Sequence, residues 1–484
     1  MFPAKSAMTS CLKRNRNSLT YVGLVSLLAF ILTACQPAKI AEIEPKDNTN
    51  TTATQDLKDL LPPERTPSTE DLSDTPTVDP LVRLIEPAPA VIGLRAPEAL
   101  TEEKIKIAIL LPLSGPTAAV GNDLLRAANI ALFDLGNGQL ELLPLDTKGT
   151  PRGAESAAAE ALVSGAELIL GPLFSSSVAT VRPLARERGV NVITFSTDTT
   201  VAGDGVYVMG LTVGQQIKRA MEFAYRQGLF NFAVLAPNSP YGDAVVKNVT
   251  ETSTALGLSL DRTVRYPTDV PAGSQDLHEI AKILGDYGLR QKQLEKEIEL
   301  YAAKEDAESK AYVKRLEKLD TFGEVTFDAL IIPEGGARLK ELASLVSYYD
   351  VDPEVVQFIG TGLWEDPSLS AEPALVGGWF SAPAPEKAAA FQKRFTELYG
   401  YQPSRIASLA YDAMALAGVM ALDPADIRFS RDAIENPSGF TGYDGIFRFP
   451  ENGIAERGLA VLEVGPKKQL VLEPEPESFA PALN

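Results

Sequence analysis

The chain has 484 residues, 45% hydrophobic and 23% charged, with 64 acidic against 45 basic side chains and a formal net charge of −19. It contains two cysteines and one histidine, His278, so a Ser-His-Asp triad, a histidine-based metal site and a disulfide framework are all poorly supplied. The acidic balance argues against nucleic acid, whose recognition needs clustered Lys and Arg, and the length suggests roughly two to three domains.

Residues 1–34 read as an export signal. Lys5, Lys13, Arg14 and Arg16 form a basic start, no acid precedes Glu42, and an apolar run follows over 21–32. That run is too short to span a bilayer core of about 30 Å. It ends in Leu32-Thr33-Ala34-Cys35, which resembles a bacterial lipobox. The resemblance implies cleavage before Cys35 and diacylglycerol on its sulfur, with Cys11 leaving in the signal. By the same resemblance Gln36, in place of the Asp that retains lipoproteins in the inner membrane, favours the outer membrane. The anchor is then lipid alone, on the periplasmic side of the envelope.

Residues 35–102 follow the lipidated Cys35 as a tether. Ten of the 35 prolines lie here among Thr, Asp and Glu, too little apolar surface to offset chain entropy, and disorder is expected.

A globular pattern begins at Ile105. Short apolar runs at 105–111, 140–145, 168–170, 190–194, 232–235, 329–332 and 356–359 alternate with amphipathic stretches at 123–135, 154–164, 178–188 and 337–348. Strand and helix alternating in this way predict βαβ units, hence an α/β protein with parallel sheets flanked by helices. Some 360 globular residues exceed one comfortable core and predict two lobes. The stretch 285–320 breaks the rhythm: 16 of the 31 residues from Arg290 to Asp320 are charged, with Leu294, Ile298, Tyr301, Tyr312, Leu316 and Leu319 at three-to-four spacing. It reads as an inserted solvated helix or helical hairpin, either packed on its own lobe or serving as a docking arm. The tail 466–484, with its Glu-Pro repeats, is expected to be disordered.

No phosphate-binding Gly-x-x-x-x-Gly-Lys-Ser/Thr, no Gly-x-Gly-x-x-Gly after a strand and no Gly-x-Ser-x-Gly elbow occurs. A non-enzymatic role is expected, with no cofactor and no metal. Three loops rich in small and hydroxylated residues do follow strands: 113–121, 171–177 and 195–200. Open α/β sheets bind ligands beyond the carboxyl ends of their strands, although Ser and Thr there also cap helices.

Ser114-Gly115-Pro116…Gly121, Gly171…Ser175-Ser176-Ser177, Ser239-Pro240-Tyr241-Gly242-Asp243, Gln357-Phe358-Ile359-Gly360 and Ala410-Tyr411-Asp412-Ala413 together resemble the type I periplasmic binding proteins, the leucine/isoleucine/valine-binding group. The resemblance runs from Ile107 to about Gly465. It implies two Rossmann-like lobes joined by three crossovers and closing on a ligand. Lobe one would be 103–225 plus 374–438, and lobe two 226–373 plus 439–465, with the charged insertion in the latter.

By the same resemblance Ser175 and Ser176 match the loop that holds an amino-acid carboxylate. Ser196 and Thr197 match the next strand-end loop, Ser114 the first, and Tyr241 the aromatic that covers the ligand. The chain departs from the family at Gly360-Thr361-Gly362-Leu363, where amino-acid binders carry the carboxylate that meets the ligand's ammonium; Glu334, Glu365 or Asp366 could take its place. Gly171-Pro172-Leu173, lipid anchor and tether further resemble the penicillin-binding-protein activator lipoproteins. That resemblance implies a lipid-anchored, non-enzymatic protein activating a peptidoglycan synthase, a penicillin-binding protein, by contact. The alternative is the solute-binding protein of an ABC importer, with a permease partner and a small amino-acid-like or amide ligand.

Overall fold

The computed structural model describes residues 104–479, which fall within one compact unit. The expected signal, lipidated Cys35 and tether lie outside the described residues, as do 480–484.

The first sheet is built from β1 (Ile105–Leu111), β2 (Leu140–Asp146), β3 (Leu168–Leu170), β4 (Asn191–Thr194) and β5 (Val206–Val208). The intervening helices are α1 (Ala118–Leu135), α2 (Pro151–Val163) and α3 (Ser175–Glu187). All five strands run parallel, in the order β2-β1-β3-β4-β5. β1 reads Ile-Lys-Ile-Ala-Ile-Leu-Leu because helices cover both its faces, so an alternating polar pattern would bury polar groups. Ala108 and Leu110 pack with Ala154 and Ala158 of α2 and Val178 and Val181 of α3. Each fully buried Ile or Leu contributes about 1.5–3 kcal/mol.

The chain continues with α4 (Val213–Arg226), β6 (Asn231–Pro237), α5 (Pro240–Leu256), β7 (Ser259–Tyr266), α6 (Gln275–Leu284), α7 (Tyr287–Ala302) and α8 (Ala307–Leu316). It then forms β8 (Ala329–Ile331), α9 (Gly336–Tyr348), β9 (Gln357–Ile359) and β10 (Trp379–Ala382). It returns to the first lobe for α10 (Pro385–Tyr399), α11 (Ala407–Met420), α12 (Arg431–Ile434) and an antiparallel ribbon of β11 (Phe440–Gly442), β12 (Gly445–Arg448) and β13 (Glu456–Arg457). β14 (Ala460–Glu463) and β15 (Leu470–Glu473) complete the second sheet, ordered β15-β14-β10-β9-β8-β6-β7, in which β14 runs antiparallel to both its neighbours and the other pairings are parallel. α11 lies along α1, so Ile107, Ile109 and Leu111 share a core with Ala410, Met414 and Ala417.

The α/β architecture with two parallel-sheet lobes is as expected, but the chain changes lobe at other points. α4 belongs to lobe two, where Ile217 and Met221 pack against Phe232 and Val234. The turn at Gly228, with φ of 88°, merely ends that helix before β6. β10, placed by sequence in lobe one, pairs with β9 and β14 of lobe two. The ribbon, placed in lobe two, gives Phe447, Phe449 and Ala455 to the lobe-one core, with Phe449 at 5.4 Å from the Tyr207 ring. The three crossings are therefore at 209–212, 383–384 and 458–459.

The tail after Pro466 is ordered through most of its described length, contrary to expectation. β15 adds to the sheet edge, and Glu473 accepts from Arg219 at 2.7 Å and Arg226 at 2.8 Å. The charged insertion is a helical hairpin, α7 and α8. Leu294 and Leu316 are buried and the Tyr301 and Tyr312 rings sit 4.6 Å apart. Arg290 ties it to the lobe, donating to the Asp350 carbonyl at 3.0 Å.

Candidate functional site

A cavity of about 1210 Å³ opens between the lobes, lined by residues of both and of the crossings. Lobe one supplies the loop after β4, residues 197–200, and Arg405 ahead of α11. Lobe two supplies Gln215 and Gln216 of α4, Tyr241 of α5, Glu365 and Ser381.

Of the six residues singled out by sequence, Thr197 and Tyr241 line this cavity, whereas Ser114, Ser175, Ser176 and Ser196 do not. Ser114 donates its hydroxyl to Asp146 at 2.6 Å. Burial works against the Asp146 charge, but the Ser114 hydroxyl and the N–H groups of Lys148, Leu113 and Ser114 outweigh it and hold that carboxyl below its ordinary range. The loop glycines have packing reasons: a Cβ on Gly121 would collide with the Pro112 carbonyl, and one on Gly171, at φ of 88°, with that of Leu110. Ser196 is buried, its Oγ accepting from the Asp198 N–H at 3.1 Å. Ser176 is exposed. Ser175 is the first residue of α3.

Asp198 is the residue these hydroxyls serve. Its Oδ1 accepts from the Thr200 N–H at 3.0 Å and the Thr200 hydroxyl at 2.7 Å. The Thr200 hydroxyl, against the opposing effect of burial and helped by the Thr200 N–H and Ser175, holds its carboxyl below the usual range. On the opposite wall the Tyr241 hydroxyl shares a 2.9 Å hydrogen bond with Thr361. Burial pushes its ionisation up, so it stays a neutral phenol.

The three carboxylates considered as ammonium partners are differently placed. Glu334 accepts from the Tyr266 hydroxyl and does not line the cavity. Asp366 caps a short turn, accepting from the Ser368 N–H at 2.8 Å. Glu365 does line it and accepts from Arg405 Nε at 2.7 Å, an ion pair between lobes. Burial raises Glu365 above its ordinary value despite Arg405.

Beneath the cavity floor lies a cluster that sequence reasoning missed. Arg405 Nη1 donates to Asp444 at 2.9 Å, and the other Asp444 oxygen accepts from Ser408 at 2.7 Å. Asp412 accepts from the N–H of Tyr443 at 2.8 Å and of Asp444 at 3.3 Å. Arg457 donates to the Met209 carbonyl at 2.9 Å, so the first and third crossings are stapled together. Burial first, then Asp444, push the Asp412 carboxyl up to about 7. The partners of Asp444 and Asp412 lie 31 to 39 residues apart in sequence, Arg457 and Met209 lie 248 apart, and none of them carries a local motif. The Ala410-Tyr411-Asp412-Ala413 run was the one available signal.

With this geometry in view, comparison with known proteins is informative. Residues 104–284 match the family described as periplasmic binding protein. An uncharacterized protein of Rickettsia prowazekii is 26% identical over 166 residues, 34% of this chain and 44% of its own. The Leu/Ile/Val-binding protein BraC3 of Rhizobium johnstonii is 27% identical over 172 residues, 33% of this chain and 47% of its own. The chain thus aligns with about half the length of these curated relatives. A putative branched-chain amino acid ABC transporter from Rhodospirillum rubrum is 15% identical, with a TM-score of 0.59 over 76% of this chain and 100% of its own. The described residues therefore carry the two-lobed fold of type I periplasmic binding proteins.

Proposed function

We propose that the chain is a solute-binding protein of an ABC importer, acting by binding rather than catalysis on the periplasmic side of the envelope. The carrying observation is a large cavity whose walls come from two lobes linked by three short crossings, an arrangement suited to hinge closure on a solute. The comparisons favour this reading over activation of a penicillin-binding protein. A small amino-acid-like or amide ligand, a permease partner and lipidation at Cys35 complete the proposal. Thermal-shift screening with amino acids and their amides tests it. A ligand at about 100 times its Kd should stabilise the chain by about 2.7 kcal/mol, and Tyr241→Ala should abolish the shift. An unchanged melting curve across the panel would count against it.

A second reading, contact activation of a peptidoglycan synthase, draws on one observation: none of the four serines matched to ligand binding, Ser114, Ser175, Ser176 and Ser196, lines the cavity. A change in glycan polymerisation or crosslinking rates on adding the purified chain to a bifunctional synthase would favour it.

A further inference from the structure

The charges around the cavity are unevenly committed. Among the described residues lining it there are three cations, Lys218, Lys247 and Arg405. Arg405 is held by Glu365 at 2.7 Å and Asp444 at 2.9 Å. Lys218 and Lys247 each sit 3.9 Å from a carboxylate one turn along their own helix, Glu222 and Glu251, with side chains 63% and 72% exposed. The same lining carries four acidic side chains, Asp198, Glu222, Glu251 and Glu365, against those three cations, so its formal charge is net negative. His278 is on α6, bonded to Tyr349 at 2.9 Å, and does not line the cavity.

Asp198, by contrast, faces the cavity as an ionised carboxylate. Both Thr200 donors go to its Oδ1, so Oδ2 retains acceptor capacity. Ser175 at the start of α3 adds to the groups that hold this carboxyl below its ordinary range. Two like charges sharing a partly desolvated site disfavour each other's ionised forms, whereas a cation is favoured there.

We propose that Asp198 sets the charge selectivity of this cleft: it receives a protonated amine on a solute that carries no free carboxylate, such as an amino-acid amide or an oligoamine. The inference rests on the solute-binding reading and narrows it.

Isothermal titration of the full chain with L-leucine, L-leucinamide and spermidine separates the possibilities. Leucinamide differs from leucine in having an uncharged amide where leucine has a carboxylate. The native chain should bind leucinamide or spermidine at least about 10-fold more tightly than leucine. Asp198→Asn keeps an oxygen for the Thr200 donors, and its melting curve checks the fold. This variant should weaken the amine ligands about 10-fold and narrow the gap to leucine. Leucine binding as tightly as leucinamide to the native chain, or a preference unaltered in Asp198→Asn, overturns the charge selectivity while leaving solute binding intact. Absence of binding by all three overturns the charge selectivity and counts against the solute-binding reading with it.

Discussion

Arg405, Asp444 and Arg457 beneath the crossings, and the Lys218–Glu222 and Lys247–Glu251 pairs on α4 and α5, are made from the same functional groups in different surroundings. Asp444 is fully buried and Arg457 nearly so, and their hydrogen bonds join segments far apart in the chain. The helix pairs are largely exposed, at 3.9 Å, within single helices. Removing two charges from water costs several kcal/mol, which only near-complete pairing repays, whereas an exposed pair is screened and contributes little. The buried cluster therefore fixes how the crossings sit, and the helix pairs are replaceable surface.

The comparison breaks most visibly at Asp444. Asp444→Ala leaves Arg405 with Glu365 alone and removes the anion nearest Arg457, whose Nε already lacks a partner. A loss of about 3–5 kcal/mol is expected by urea denaturation, because an uncompensated buried charge remains. Asp444→Asn, which keeps an acceptor for Ser408, should lose less. Equal and small losses in both variants would show that charge at this position does not matter.

Asp412 sharpens the same contrast through pH. Its folded-state pKa, about 7, is raised above its unfolded value near 4 by burial and by Asp444, against Arg457 and two N–H donors. Between these values the folded chain binds a proton that the unfolded chain does not. This contribution is therefore present at the acid end and lost as pH rises through about 7, with a slope of at most about 1.4 kcal/mol per pH unit. Stability should rise from pH 8 to pH 6. In Asp412→Asn, urea midpoints at the two pH values should converge. A pH difference as large as in the native chain would remove Asp412 as its source.

The sequence makes the lobes legible because their central strands are continuous apolar runs: the run at 105–111 is β1, and that at 329–332 contains β8. It hides β7, Ser259–Tyr266, an edge strand that alternates exposed polar residues, and β10, only four residues long. The crossings are obscured for a different reason. They are two to four residues long with no linker-like composition, while the conspicuous Gly228 turn lies inside lobe two. In the site, Tyr241 is readable from the Ser239 cap and Pro240 that start α5, since Ser239 accepts from the Gly242 N–H at 3.2 Å. Ser175 is readable only as a hydroxyl at a strand end. Nothing local distinguishes a hydroxyl serving a ligand from one serving Asp198, because that difference depends on how the next loop folds over it.

The smallest expected effect is at Lys247, and it tests the other half of the comparison. In both helix pairs the lysine precedes the glutamate by four residues, the less favourable orientation relative to the helix dipole. Lys247→Ala should therefore change stability by less than about 0.5 kcal/mol, and exchanging the pair as Lys218→Glu with Glu222→Lys should leave it equal or raise it by a few tenths of a kcal/mol. Urea midpoints at low and at 0.5 M salt check both, since a screened pair loses what little it contributes as the Debye length falls. A loss above about 1 kcal/mol that persists in salt would mean that α4 and α5 are coupled through these side chains. The helix side of the cleft would then be structural as well, and the distinction between a fixed floor and a replaceable surface would fail where a solute is expected to enter.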